Sequence, residues 1–245
     1  MDITTIVGVA GAAALILAGF AGNQISASLI NMHGVVVVIG GTVVATLINT
    51  PLKFVTGAVT QLGWIFREND EASPEKLIPL LVNLAEQARK RGLTALKEAD
   101  AGVAKGFLSR AASAALEYND YNFVRQVLEQ EINQAADDMN EVTNVYRTMS
   151  VMAPMFGLLG TLIGIIEVLK DLANPESVGP AMAVAITSAF YGIFFANMVC
   201  VPIAGKMRAK VWMEVRLKSM ILEGVLEIMK GSVPLVVERR LQSYL

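Results

Sequence analysis

The sequence predicts an all-α integral membrane protein with four transmembrane helices and a helical cytoplasmic domain between the second and third. Three observations carry that expectation. Only 17% of the 245 residues are charged and 54% are hydrophobic, whereas a soluble domain carries about 25% charged residues; the mean hydropathy is +0.52. The apolar residues gather into four runs, each long enough to cross a hydrocarbon core of roughly 30 Å, and a stretch of mixed charge from 67 to 147 divides them two and two. The basic residues are placed unevenly: of 20 Lys and Arg, 11 lie between Lys53 and Arg147, eight from Lys206 onward, and only Lys170 falls elsewhere. Cytoplasmic loops hold the excess of Lys and Arg, so both termini and the charged domain are expected in the cytoplasm. Backbone facing lipid must satisfy its own hydrogen bonds, which makes the spans helical.

The first run, Ile3 to Gly22, is uncharged. Asp2 rather than a basic cluster precedes it and no cleavage site of small residues follows, so it reads as a retained span and not a secretory signal. Asn23 to Met32 reads as a short polar turn. Gly34 to Thr50 is the second run; its valines favour a strand by propensity, but its length, directly after another span, favours a helix. Pro51 and Lys53 end it, and Phe54 to Phe66 is expected at the interface with Trp64 near the headgroups. The domain boundaries that follow are a transmembrane hairpin over 1–52, a cytoplasmic helical domain over 53–147, a second transmembrane hairpin over 148–205, and a charged, amphipathic cytoplasmic tail over 206–245.

Within the cytoplasmic domain, Ser73-Pro74 supplies a hydroxyl cap with proline in the first turn, and Gly92 a stop. Between them Leu77, Leu80, Leu81, Leu84 and Ala88 form one apolar stripe, and Pro79 is expected to bend the helix or delay its start. Further helices are expected from Leu93 to Asp100, from Ala104 to Leu116, and from Asp120 onward. The last has no breaker before the third span, so one long helix should run from the charged domain into the membrane. Around the Gly92 turn, Arg89, Lys90, Arg91, Lys97, Glu98 and Asp100 make a charged rim, either solvated only or available to a partner of complementary charge.

The third run, Met149 to Ile166, holds Pro154 and Thr161. Proline cannot donate its backbone hydrogen bond, which deprives the Ser150 carbonyl of its donor. Thr161 lies seven residues on, two helical turns along and on nearly the same face, so a freed carbonyl and a hydroxyl share one wall at membrane depth. After the turn signal Asn174-Pro175, the fourth run from Val178 to Gly205 carries Thr187, Ser188 and Tyr191 among Ala181, Ala185, Ala189, Gly192 and Ala196, with Pro202 near its inner end. Such small residues, like Gly160 and Gly164 in the third run, let helices approach closely in lipid. Ion passage ordinarily uses an ionisable group inside the membrane, and this chain has none there: Glu167 sits at the outer edge, where a solvated carboxylate is expected, and His33 reads as interfacial. A charged carrier would have to come from a partner.

Other classes are excluded by what the chain lacks. Cys200 is the sole cysteine, so no internal disulfide or cysteine metal site is expected. No Gly-rich phosphate loop, no HExxH and no nucleophile motif appears, so neither an enzyme nor a cofactor is expected, and nothing points to nucleic acid.

The segments MAPMFGLLGTLIG, NPESVGPAMAVA and FYGIFFANMVCVPIAGKM, together with AEQARKRGLTALKEAD in the charged domain, resemble the MotA/PomA flagellar stator subunits of the wider MotA/TolQ/ExbB group. The resemblance covers the whole chain, and two spans before the charged domain, where TolQ and ExbB have one, are similar to the flagellar branch. It implies a homopentamer in the bacterial inner membrane around a single-span MotB/PomB-type partner, whose membrane aspartate carries the ion. Ion flow would turn the ring, and its cytoplasmic charges would push the rotor protein FliG. Pro154 and Pro202 match the family's two prolines, and Arg89 and Glu98 its rotor-facing charges, with Lys90, Lys97 and Asp100 beside them. Lys97 stands where sodium-type members carry an acid. Thr161 matches a threonine typical of sodium-driven members; Ala189 stands where a second threonine is usual, with Thr187 and Ser188 just before it. The implied ion path is Pro154, Thr161, Thr187, Ser188 and Ala189, with transient Na⁺ near Thr161 expected over a proton, since a hard cation favours several oxygen ligands. The alternatives are a TolQ/ExbB-like or gliding-type energy-transducing subunit and a non-conducting membrane scaffold.

Overall fold

The computed structural model describes residues 6–8, 10–14, 31–66, 73–170 and 175–244. Most of the expected first span, the polar turn up to residue 30 and the loop at 171–174 therefore lie outside the described residues. Regular structure among the described residues is helical throughout. Helix α1 runs Met32–Asn49. Asn31 caps it, its side-chain oxygen accepting from the backbone N–H of His33 (3.0 Å) and Gly34 (3.3 Å), as short polar side chains do at helix starts. The helix widens into a π turn over Val36–Gly40 and stops at extended Thr50, before Pro51. Helix α2 (Leu52–Thr60) follows, with a 3-10 turn at Leu62–Phe66.

Helix α3 (Pro74–Arg91) starts at Ser73-Pro74 and runs through Pro79 without a break. That proline sits so early that the carbonyl it deprives, Glu75, belongs to the first turn. Gly92 ends the helix at φ +78, in open space, a conformation glycine adopts without steric cost. A 3-10 helix (Leu93–Glu98) leads to Val103–Gly106, where Ala104 (φ 51), Lys105 (φ 57) and Gly106 (φ 82) are all left-handed. The expected helix from Ala104 therefore starts only at Phe107. For Ala and Lys that backbone costs about 1–2 kcal/mol each, so tertiary contacts must hold it. Helix α4 (Phe107–Tyr118) ends at left-handed Asn119. Asp120 then caps helix α5 (Tyr121–Lys170), accepting from the N–H of Asn122 and Phe123. The expected single long helix is present, at 50 residues. Helix α6 (Pro175–Phe194) passes through a π turn (Phe195–Cys200) into α7 (Val201–Met229), and α8 (Pro234–Gln242) closes the chain after left-handed Gly231.

The chain divides into two compact units, Met1–Arg67 with Asn140–Arg208 and Glu68–Met139 with Ala209–Leu245. Their residues are arranged in opposite senses. In the first, Leu158, Leu162, Ile165, Ile166, Ile186 and Ile193 are exposed, while Ala153, Gly157, Gly160, Gly164, Ala185, Ser188 and Gly192 are buried. Small residues inside and large apolar residues outside suit a lipid solvent, and among the described residues of the chain three helices are long and apolar enough to cross a membrane. In the second unit Leu77, Leu81, Leu96, Phe107, Leu108, Leu128, Met220, Ile221 and Leu226 form the core, and Arg89, Lys90, Arg125 and Glu129 face outward. From Leu217 to Leu241 the apolar side chains of the amphipathic stretch expected over 206–245 fill this core.

One buried carboxylate ties the C-terminal turn together. Glu227, with only 5% of its side chain exposed, pairs with Lys230 (3.0 Å) and accepts from the Ser232 hydroxyl (2.6 Å). Burial pushes its pKa up, but the bonds from Ser232 and Lys230 outweigh that and hold it below the usual carboxylate value. A carboxylate whose folded pKa is depressed adds stability above its unfolded pKa and loses it as pH falls through the folded one. Replacing Glu227 by Gln should therefore destabilise the protein by about 1–3 kcal/mol at neutral pH. The difference should close as pH drops below the ordinary carboxylate range, as read from denaturation of the detergent-solubilised protein.

Candidate functional site

The site is built where α5 and α6 lie against each other. Gly157, Gly160 and Gly164 recur along one face of α5, and α6 packs directly on their backbone. A Cβ added at Gly160 would lie 2.5 Å from Ser188 Cβ, at Gly164 2.8 Å from Ala185 Cβ, and at Gly157 3.0 Å from the Ser188 carbonyl. From the other side, a Cβ at Gly192 would lie 2.5 Å from the Ala153 carbonyl and 3.1 Å from Pro154 Cα. Helix α1 joins at the same place: a Cβ at Gly34 would sit 3.0 Å from Ser188 Oγ, and one at Gly41 would collide with the ring of Phe156. Ser188, fully buried, thus fills the junction of three helices.

The hydroxyls are used differently. Ser188 Oγ donates to the Val184 carbonyl (2.8 Å) and Thr187 Oγ1 to the Ala183 carbonyl (2.8 Å), both on their own helix. Thr161 Oγ1 reaches across, donating to the Ala185 carbonyl of α6 (2.8 Å) as well as to Gly157 (3.1 Å). Two oxygens from two helices, Thr161 Oγ1 and Ala185 O, therefore stand side by side, and the hydroxyl keeps its lone pairs for a further donor or cation. Half-buried Ala189 lies beside Gly157, its Cα 3.3 Å from where a Gly157 Cβ would be, and adds no oxygen from its side chain. Pro154 is half-buried, one turn below Gly157, and removes the helical donor of Ser150. Pro202 is exposed and lies one residue beyond the π turn, after Val201, whose N–H bonds Ala196 O five residues back. Glu167 and His33 are both exposed. Among the described residues no group of three His, Cys, Asp or Glu could hold a metal, so a cation here would meet hydroxyl and carbonyl oxygen only.

Two features escape a reading of the sequence. Tyr191 Oη accepts from the backbone N–H of Asn31 at 2.9 Å, which ties the start of α1 to α6 across 160 residues; Asn31 ahead of an apolar run is a visible cap signal, but its tyrosine partner is not. In the second unit Arg89, Lys90, Lys97, Glu98 and Asp100 are all exposed, as the rim requires. Glu98, however, pairs with Arg91 at 3.1 Å, and Asp100 accepts from the Gly102 N–H at 2.8 Å. Buried Ala95 and Leu96 anchor the rim to the core.

The family model of the MotA/TolQ/ExbB proton channel family matches residues 98–220, half of the chain. The chain belongs to this family. It is 32% identical to the chemotaxis protein PomA of Vibrio alginolyticus, over all of this chain and 96% of that one. It is 30% identical to motility protein A of Bacillus subtilis, over all of this chain and 91% of the relative. A solved structure of the flagellar MotAB stator complex from Bacillus subtilis superposes with a TM-score of 0.90 at 30% identity, covering all of this chain and 96% of that one. The matched family region includes Thr161, Ser188 and every glycine of the α5–α6 contact.

Replacing Gly160 by Ala should force α5 and α6 apart, since the new Cβ has no room beside Ser188; overpacking of this kind costs about 1–3 kcal/mol. The expected outcome is less folded protein in membranes by size-exclusion profile, restored in part when Ser188 is also changed to Gly. No loss in the single variant would show that the contact yields freely.

Proposed function

We propose that this chain is a stator subunit of the bacterial flagellar motor, forming with a MotB/PomB-type partner an ion-conducting complex that converts ion flow into rotation. The observation that carries this reading is the Thr161–Ala185 oxygen pair, set at membrane depth in a protein whose described spanning residues hold no interior carboxylate. An ion needs a counter-charge there, so the partner supplies it. The names of the full-length relatives, motility and chemotaxis proteins, favour the flagellar branch over TolQ/ExbB-type or gliding-type transduction and over a passive scaffold.

In this reading the chain crosses the inner membrane four times, with hairpins over 1–52 and 148–205 and both termini in the cytoplasm. The second unit is cytoplasmic, as its exposed Lys and Arg support. Copies assemble as a homopentamer around the partner. Thr161 and the carbonyl freed by Pro154 line the ion path with Thr187, Ser188 and Ala189 of α6 beside them, and Ser188 fits against Gly160 closely enough for Thr161 to reach α6. Pro202 acts as a gating proline at the inner end. Sodium is favoured over the proton because the path offers clustered oxygens. Arg89, Lys90, Lys97, Glu98 and Asp100 form the face toward FliG. No catalytic step and no cofactor enter this function.

Rotation measured with sodium and pH varied independently tests the ion: speed should follow sodium and be little changed by pH at fixed sodium, and speed that ignores sodium overturns that choice. Thr161→Ala should slow rotation and raise the sodium concentration for half-maximal speed, with the complex intact by co-purification; unaltered sodium dependence removes Thr161 from the path. Arg89→Glu should lower stall torque without changing conduction. Glu98→Lys also strips Arg91 of its partner, so Arg91→Ala is its control, and a conduction defect in Arg89→Glu would overturn the rotor-face role.

A further inference from the structure

The left-handed turn at Ala104, Lys105 and Gly106 has no local cause. Neither Ala nor Lys favours positive φ, and the surrounding sequence is that of a helix. What holds it comes from elsewhere in the second unit. Lys105 Nζ pairs with Glu214 Oε2 of α7 at 2.9 Å, across 109 residues, and Glu214 is only 18% exposed. Its other oxygen pairs with buried Lys218, also at 2.9 Å. The carbonyl of Lys105 accepts from Arg110 Nη1 (3.2 Å), and Arg110 is itself fixed to Glu131 of α5 (2.7 Å). Burial pushes the Glu214 pKa up, but the bonds from Lys218 and Lys105 prevail and hold it below the usual carboxylate value, so this carboxylate stays charged at neutral pH.

The turn joins two parts with different tasks. On its N-terminal side is the rim Leu93–Glu98, and on its C-terminal side α4, which begins at Phe107. Glu214 belongs to α7, which begins at Val201, continuous with α6 through the π turn, and has its later residues in the second unit's core. We propose that Lys105 is a positioning residue for torque: its ion pair with Glu214 ties the rim that meets the rotor to the helix continuing from the fourth span. This rests on the stator reading above. A strained segment held by long-range contacts, the Lys105–Glu214 pair among them, is poised at a mechanical link, because strain persists only where surrounding contacts over-determine it. An interchangeable surface lysine would leave the turn free to relax into a right-handed form and let the rim shift against α7.

The test uses the full chain with its partner in motile cells, comparing stall torque per assembled stator unit with ion conduction. Lys105→Ala and Glu214→Gln should each lose torque with conduction and assembly kept. Lys105→Arg, which retains the charge, should keep torque. Lys105→Gly removes the pair and the strain at 105, leaving that of Ala104, and should lose torque as Lys105→Ala does; torque retained in Lys105→Gly would show that the pair is dispensable and overturn the proposal. Torque unchanged in Lys105→Ala and Glu214→Gln while Arg89→Glu lowers it overturns the link alone. Torque unchanged in Arg89→Glu as well overturns the rotor-face reading and the link with it. A conduction loss parallel to the torque loss in Lys105→Ala overturns the positioning role.

Discussion

Everything in the first unit depends on how closely the backbones of α5 and α6 approach. In lipid, apolar side chains gain nothing by turning inward, because the tails outside are as apolar as a protein core; helices associate through contact of small residues and through polar bonds between them. Gly157, Gly160 and Gly164 remove the side chains that would separate the two backbones, and α6 answers with Ala185, Ser188 and Gly192. The 2.8 Å bond from Thr161 to the Ala185 carbonyl is a consequence of that spacing, since a threonine side chain is too short to bridge helices held apart by larger residues. The packing constraint and the candidate chemistry are therefore one feature. A change that widens the contact removes the oxygen pair even if Thr161 is untouched.

Hydroxyls elsewhere in this unit follow a different habit. Thr42 bonds the Val38 carbonyl, Thr46 the Thr42 carbonyl, Thr187 the Ala183 carbonyl and Ser188 the Val184 carbonyl, each four residues back. A buried hydroxyl without a partner is costly in a medium lacking water, and bonding back to its own helix is the nearest remedy. Thr161 bonds back as well but also forward to another helix, which sets it apart from the four others by geometry and not by residue type. The π turns at Val36–Gly40 and Phe195–Cys200 belong to the same accounting. They shift the backbone ladder by one residue, and at the second the shift ends just before Pro202, which has no N–H to offer.

Several helices and part of the glycine stripe were legible in the sequence, because each is written in local spacing: Ser73-Pro74 and Gly92 for α3, the lack of a breaker after Asp120 for α5, Gly160 and Gly164 for the contact. What was not legible depends on partners distant in the chain. Ser188 reads as a path residue among small neighbours, and only Gly34 from α1 and Gly160 from α5 reveal that it is enclosed. The stretch after Lys206 reads as a charged tail because Lys218, Glu223, Glu227 and Lys230 interrupt its apolar residues, yet those residues are buried on several sides by other helices of the second unit. The turn at Ala104 and Lys105 runs against propensity, and the contacts seen on it, Lys105 with Glu214 and Arg110 with the Lys105 carbonyl, are not written in its local spacing.

The two units also divide charge between them, and that division bears on leakage. Among the described residues between 148 and 205 the acids are Glu167 near the end of α5 and Glu176 near the start of α6, both beside the connecting loop, so the described spanning interior offers dipolar oxygen and no formal charge. Moving a charged group to the centre of a bilayer costs about 2.5–3.5 kcal/mol even on the most lenient scale, and two oxygens on Thr161 and Ala185 cannot replace a full coordination shell of six or more ligands for a hard cation. On the stator reading, an ion therefore gains entry only when the partner's carboxylate is present beside this wall. The second unit holds its charges in pairs such as Glu214 with Lys105 and Lys218, where they fix backbone instead of carrying ions. On that reading conduction is a property of the assembled complex, because the described spanning residues supply no interior acid for an ion to move against.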